Sequence, residues 1–229
     1  STATSLFVSA FSAQNRGPRC LSRVGRFSTL TIPTVLASRT QPLESTLLEL
    51  LDLEKLQLAY IGTAGTAPRK DSDRPLKDQR KKRRYEARYQ CKMLGEIFSA
   101  SSAQHIFLED FPQDGGGPKK LTAALESALG TDGNGVLFVD GGNTFWLHFH
   151  AKKAGFATAL REVRSATRFA YVGVSAGAIL AGPTCDTAYW KGWDDPLVVP
   201  QEAREASLDG LGLVEPAVFP HHGPQWEET

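Results

Sequence analysis

Short apolar runs and stretches of helical period alternate along the chain. Leu58-Ala59-Tyr60-Ile61, His105-Ile106-Phe107-Leu108, Gly135-Val136-Leu137-Phe138-Val139, Ala170-Tyr171-Val172 and Ala217-Val218-Phe219 are each too short for a helix. Most are followed by glycine, proline or small polar residues, so they read as buried strands. Between them the period changes. Glu44–Leu56 carries leucines at 47, 48, 50, 51, 53 and 56 with acids interspersed, and predicts a short amphipathic helix. Lys70–Arg88, running on to Met93-Leu94, predicts a second helix, and Lys119–Leu129, with Leu121, Ala124, Leu125 and Ala128 on one face, a third. Another begins after Asn143-Thr144 and carries Phe145, Trp146, Leu147 and Phe149, and Ile179-Leu180-Ala181 reads as the first turn of one more. Strands alternating with helices predict an α/β fold, a parallel sheet wound with right-handed crossovers.

Composition narrows the class. The 229 residues are 41% hydrophobic and 22% charged, enough apolar material for a real core. A net charge of +1 gives no global field for nucleic acid or membrane, and no apolar run approaches the ~20 residues that span a bilayer. Cys20, Cys91 and Cys185 lack CxxC spacing, which fits neither a disulfide framework nor a zinc site. The basic run Lys77–Arg84 has no aromatic interleaving, so a solvated helix face is the favoured reading over a nucleic-acid patch. His148 and His150 lie two apart on a helix, point to different faces and read as helix-surface or packing histidines.

Residues 1–43 stand apart. They hold no acid and carry Arg16, Arg19, Arg23, Arg26 and Arg39 among Ser, Thr and Ala, the signature of an organellar transit peptide for a plastid or mitochondrion. The alternative is a disordered basic tail on a cytoplasmic protein, and either way the stretch is expected to lie outside a folded domain over 44–229. The chain begins at Ser1 and its one methionine is Met93, so the initiator is expected to be missing.

Two stretches carry chemistry. Gly173-Val174-Ser175-Ala176-Gly177, between an apolar strand and a helix, has the pattern of a nucleophile elbow. There the Ala176 N–H, at the helix start, faces a developing oxyanion. Asp140-Gly141-Gly142-Asn143 follows the preceding strand, and Gly142 N–H is the candidate second donor. A serine nucleophile needs a base and a group to orient it. Downstream of Ser175 the histidines are His221 and His222, and the candidate acids are Asp186, Asp194, Asp195 and Asp209. The 46 residues from Ser175 to His221 are too few for the strands and helices an α/β-hydrolase places there.

Four motifs in order, Val139–Phe145, Gly173–Ala178 with Gly182-Pro183-Thr184, Leu208–Leu213 and Phe219-Pro220-His221, resemble peptidase E, the α-aspartyl dipeptidase family of serine peptidases, with cyanophycinase as a more distant relative. The resemblance covers about Leu58 to Thr229. It implies a flavodoxin-like sheet with helices on both faces, related to class I glutamine amidotransferases with serine in place of their cysteine. It makes Ser175 the nucleophile, His221 the base and Gly142 and Ala176 the oxyanion donors. Asp194, two residues before Pro196, is the matching acid, with Asp195 the alternative and Asp186 a remote one, because Ala188–Gly192 is expanded against the pattern. His222 becomes a neighbour of the site.

The resemblance implies no metal and no organic cofactor, and a small peptide with N-terminal aspartate as substrate. The arginine expected to bind that aspartate, and the last strands of the sheet, would lie beyond Thr229. Two alternatives stay beside this reading: a cyanophycinase-like exopeptidase, and an inactive relative acting as a binding protein.

Overall fold

The computed structural model describes residues 32–37, 56–70, 72–192 and 194–221. Five strands form one wholly parallel sheet: β1 (Thr34–Ala37), β2 (Gln57–Ile61), β3 (Ser102–Ile106), β4 (Gly135–Val139) and β5 (Phe169–Val174), in the order β1-β5-β4-β2-β3. The crossovers carry α1 (Leu76–Ile97), α2 (Gly117–Leu129), α3 (Thr144–Ala154) and α4 (Phe156–Ala166). The short helices α5 (Ala176–Ala181), α6 (Thr187–Lys191) and α7 (Gln201–Glu205) follow β5.

Side chains alternate across the pleat and so feed two cores. Ala59, Ile61, Leu137, Val139 and Tyr171 face one way, onto the apolar sides of α2 to α5. Leu58, Tyr60, Val136, Phe138 and Val172 face the other, onto Ala87, Cys91 and Leu94 of α1. Both faces of β4 and β5 are buried along their whole length, which is why these strands are continuous apolar runs rather than alternating ones. The parallel α/β sheet is therefore the one the pattern predicted, and the helices on both its faces are those the resemblance implied.

Three expectations need correction. Residues 1–43 do not all lie outside the fold, because Thr34–Ala37 adds a parallel strand beside β5, paired Thr34↔Tyr171 to Ala37↔Val174. Three apolar residues and a threonine inside an Arg- and Ser-rich stretch carry little periodic signal, yet they cover an otherwise open strand edge. Next, Ala217–Phe219 is not a strand. Pro216 and Pro220 flank it and lack the N–H that a ladder needs, and its backbone is held by a side chain instead, with Thr187 Oγ1 donating to Val218 O at 2.7 Å. Finally, β3 begins at Ser102, and α4 forms a separate helix that the motif pattern did not single out. The helix expected over 44–56 falls, but for Leu56, outside the described residues, as does His222.

Candidate active site

The elbow is built by close approach. Ser175 has φ 49° and ψ −106°, a conformation that a residue with a Cβ adopts at a cost of about 1–3 kcal/mol. What holds it there is the junction between β5, α5 and β4. A Cβ on Gly177 would lie 2.0 Å from Val139 O, so only glycine lets α5 begin this near the neighbouring strand. Tyr171 OH donates to Gly177 O at 2.8 Å, and Ser175 N–H donates to Ala37 O at 2.8 Å. The edge strand β1 thus anchors the backbone of the elbow.

His221 comes to Ser175 from the irregular stretch after α7, with its Nε2 2.9 Å from Ser175 Oγ. Like Ser175 it has a positive φ, 62°. Upstream, Val218 is buried beside Gly182 and tied to Thr187, which fixes the approach of the imidazole.

The Asp140–Asn143 loop lies against the serine, since a Cβ built on Gly141 would sit 3.2 Å from Ser175 Cβ. Gly142 has φ 140°, and a Cβ there would meet the Ala64 carbonyl carbon and oxygen at 2.4 Å. The loop is pinned to the segment after β2: Asp140 N–H donates to Ile61 O and Asn143 N–H to Ala64 O, both at 3.0 Å. Asn143 also caps α3, its Oδ1 accepting from Trp146 N–H at 2.9 Å. Ala176, fully buried, is the first residue of α5, so its N–H lies outside the intrahelical ladder.

His221 and the Asp140–Asn143 loop therefore both lie against Ser175, whereas the hydrogen bond that Asp194 makes is to the start of α3. Its Oδ2 accepts from Thr144 N–H at 2.9 Å, at the N-terminus of α3, where free amides and the helix dipole favour a carboxylate. Asp195 accepts from Leu197 N–H at 2.8 Å and pairs with Lys70 at 3.0 Å, and the Leu197 bond and that ammonium hold its carboxyl below the usual range. Asp186 is paired with Thr184 Oγ1 at 2.6 Å, and Asp209 is exposed.

Two residues of the site had no role in the sequence reading. Tyr60, buried on β2, donates its hydroxyl to the Asp140 carboxylate, whose other oxygen accepts from Gly141 N–H at 2.7 Å. Burial pushes the Asp140 carboxyl up, opposed by those two donors, and burial and the Asp140 charge both push the Tyr60 phenol up. Asp140 stood inside a recognised motif, but nothing in sequence pairs it with a tyrosine 80 positions earlier.

Away from the elbow, His148 is buried with its Nε2 3.1 Å from Asp209 O, and His150 sits against Trp146 and Phe149. Among the described residues no group of three or more His, Cys, Asp or Glu side chains could hold a metal. The basic run forms the first half of α1. There Arg83 donates to Gly65 O at 3.0 Å, Lys82 pairs with Glu86 and Arg84 with Asp110.

The chain thus combines a parallel α/β sheet with a strained serine between a strand and a helix, and a histidine within hydrogen-bond distance of that serine. Residues 119–229 match the sequence model described as peptidase family S51. An 89-residue stretch is 34% identical to the uncharacterized peptidase Lin0382 of Listeria innocua, over 39% of this chain and 40% of that protein, so the chain matches about two fifths of its curated relative. In structure the chain resembles a candidate peptidase E protein from Listeria monocytogenes EGD-e, with a TM-score of 0.52 and 20% identity over 78% of this chain and 73% of that one, a likeness of fold. The resemblance to peptidase E is thus borne out at the level of the family.

Proposed function

We propose that the chain is a serine peptidase that cleaves short peptides through an acyl-enzyme on Ser175. The observation that carries the proposal is the 2.9 Å approach of His221 Nε2 to Ser175 Oγ, with the serine held in a strained turn at a helix start. In this reading His221 takes the Ser175 proton as Oγ attacks the peptide carbonyl carbon. The tetrahedral oxyanion forms against the Gly142 and Ala176 amides. Collapse breaks the C–N bond, and His221 returns its proton to the departing amine. Water, deprotonated by His221, then attacks the acyl carbon and releases Ser175.

The substrate we propose is a dipeptide or short peptide with N-terminal aspartate, supported by the resemblance of the Asp140–Phe145, Gly173–Ala178 and Phe219–His221 motifs to peptidase E. The acid-poor, arginine-bearing stretch before β1 supports an organellar address. The test is release of free amino acid from dipeptides differing only in their first residue, with and without a chelator. Chelator-insensitive cleavage of Asp-X, abolished in Ser175→Ala with the fold retained, is expected. Cleavage confined to other dipeptides would overturn the aspartyl preference, and an active Ser175→Ala would overturn the mechanism.

A further inference from the structure

We infer that Asp140 and Tyr60 are positioning residues for the oxyanion loop: their buried carboxylate–phenol pair holds the Asp140–Asn143 backbone so that the Gly142 amide alone is left to face Ser175. The inference rests on the serine-peptidase reading and extends it to two residues outside the motif's expected chemistry.

Each backbone N–H of the loop needs a partner or a role. Four N–H groups belong to residues 140–143. Asp140 N–H goes to Ile61 O at 3.0 Å, Gly141 N–H to Asp140 Oδ1 at 2.7 Å and Asn143 N–H to Ala64 O at 3.0 Å. The fourth, Gly142 N–H, donates to no protein group among the described residues, and it belongs to the residue whose backbone is packed against Ala64. The two outer bonds fix the ends of the loop. Between them the Asp140 carboxylate is the one side chain that grips the turn, by holding Gly141 N–H, and it is itself held by Tyr60 OH from the other side.

Tyr60 can hold it because the phenol is immobile. The ring is 1% exposed, stacks on Phe138 with centroids 5.9 Å apart, and lies against the space a Cβ on Gly62 would occupy. β2 and β4 are paired with Tyr60 opposite Phe138 and Ile61 opposite Val139, so Asp140 emerges beside the tyrosine's own strand. The other titratable group near the ring is the Cys91 thiol of α1, which burial pushes up to about 11, leaving it neutral. Among the described residues no cation acts on the carboxylate, whose partners are the Tyr60 hydroxyl and the Gly141 amide. Released from Tyr60, the Asp140 side chain would turn toward water, and the Asp140–Gly141 peptide would turn with it.

The pair is tested with Tyr60→Phe, which keeps the ring and removes one hydroxyl, alongside Asp140→Ala and Asp140→Asn. Three readouts are taken: peptide kinetics, the inhibition constant of a peptidyl boronic acid that forms a tetrahedral adduct on Ser175, and the rate at which an organophosphorus fluoride labels Ser175. Losing an oxyanion donor lowers kcat by ~10²–10³-fold, so a misaligned one should give about 10-fold in Tyr60→Phe and about 100-fold in Asp140→Ala. KM should hold, and boronate affinity and labelling rate should fall in step with kcat. Asn keeps an acceptor for Gly141 N–H and turns its amide toward the tyrosine oxygen, so Asp140→Asn should recover most of the loss.

A merely structural pair would lower thermal stability and leave boronate affinity and kcat unchanged, and that result in Tyr60→Phe overturns the inference even if Asp140→Ala fails to fold. Wild-type protein labelled on Ser175 but inert toward peptides would end the peptidase reading, while the labelling rates would still judge the pair. Wild-type protein that is not labelled at all would end both.

Discussion

Replacing Gly142 by alanine puts one carbon into the tightest contact of the site. The new Cβ would lie 2.4 Å from both the carbonyl carbon and oxygen of Ala64 and 2.7 Å from Gly65 N. These are backbone atoms, tied by Asn143 N–H to Ala64 O at 3.0 Å and by Gly65 N–H to Gly62 O at 3.2 Å, so they cannot swing aside as a side-chain end would. At φ 140° an L residue is also strained, by about 1–3 kcal/mol. The least costly relaxation rotates the Gly141–Gly142 peptide, which relieves both and turns the free N–H away from Ser175. Stability should therefore fall by only about 1–3 kcal/mol, while kcat falls by ~10²-fold or more with KM little changed, the effect of losing one oxyanion donor. Gly116→Ala is the control, because Gly116 has φ 71° and nothing within 4 Å of its Cβ position. It should show the backbone strain without the loss of rate. Urea unfolding and steady-state dipeptide kinetics on the two variants decide the matter. A folded Gly142→Ala enzyme with kcat within about threefold of wild type would refute Gly142 N–H as the oxyanion donor.

Asp194→Ala should lower unfolding free energy by about 0.5–2 kcal/mol, the usual value of a helix N-terminal acceptor, because its carboxylate serves Thr144 N–H. If Asp194 instead orients the base during turnover, kcat will fall by ~10⁴-fold, as in serine triads, and urea unfolding beside kinetics separates the outcomes. His150 makes stability fall with acid. Burial, followed by Arg80 and Lys153, pushes its imidazole down to about 4 against an ordinary 6.5, so the unfolded chain takes up the proton first as pH drops. Stability present above pH 6.5 is thus lost toward about pH 4, by on the order of 3 kcal/mol at most, and urea unfolding of His150→Gln should show a shallower fall over that window. Cys91 and Cys185, pushed by burial to about 11 and about 12, should resist alkylation at pH 8 in the native state and react once urea unfolds the chain.

The elements that could be read in advance were those whose signal is local. β4 and β5 are continuous apolar runs because both their faces are buried, and Gly173 of the elbow is fixed by a contact only four residues away in sequence, with Gly177 O. Ser175 and Gly142 follow from motifs that sit at the ends of β5 and β4, and a parallel α/β sheet delivers its strand ends to one rim. What failed to show was set by partners far away. Ala217–Phe219 is as apolar as a strand, yet the prolines on either side and the Thr187 hydroxyl make it an irregular arm that lowers His221 onto the serine.

β1 is the clearest case of that limit, and it changes how the site is understood. Thr34–Ala37 sits in a stretch whose acid-poor, arginine-bearing composition reads like that of a leader, and composition averages over a segment of only three apolar residues and a threonine. In the fold those four residues close the edge of β5, and the last of them supplies the carbonyl that takes the Ser175 amide at 2.8 Å. The strained turn of the nucleophile is therefore held from three sides: by β4 through the missing Cβ of Gly177, by β5 through Tyr171 OH on Gly177 O, and by β1 through Ala37 O. Strain of about 1–3 kcal/mol survives only where its surroundings over-determine it, and three strands converging on residues 175–177 meet that requirement. The same logic applies across the cleft, where Ile61, Ala64 and the Tyr60–Asp140 pair restrain a loop of four residues. Both halves of the site are thus backbone geometries imposed by neighbouring strands, which is why residues with no chemistry of their own, such as Ala37 and Ala64, belong to it.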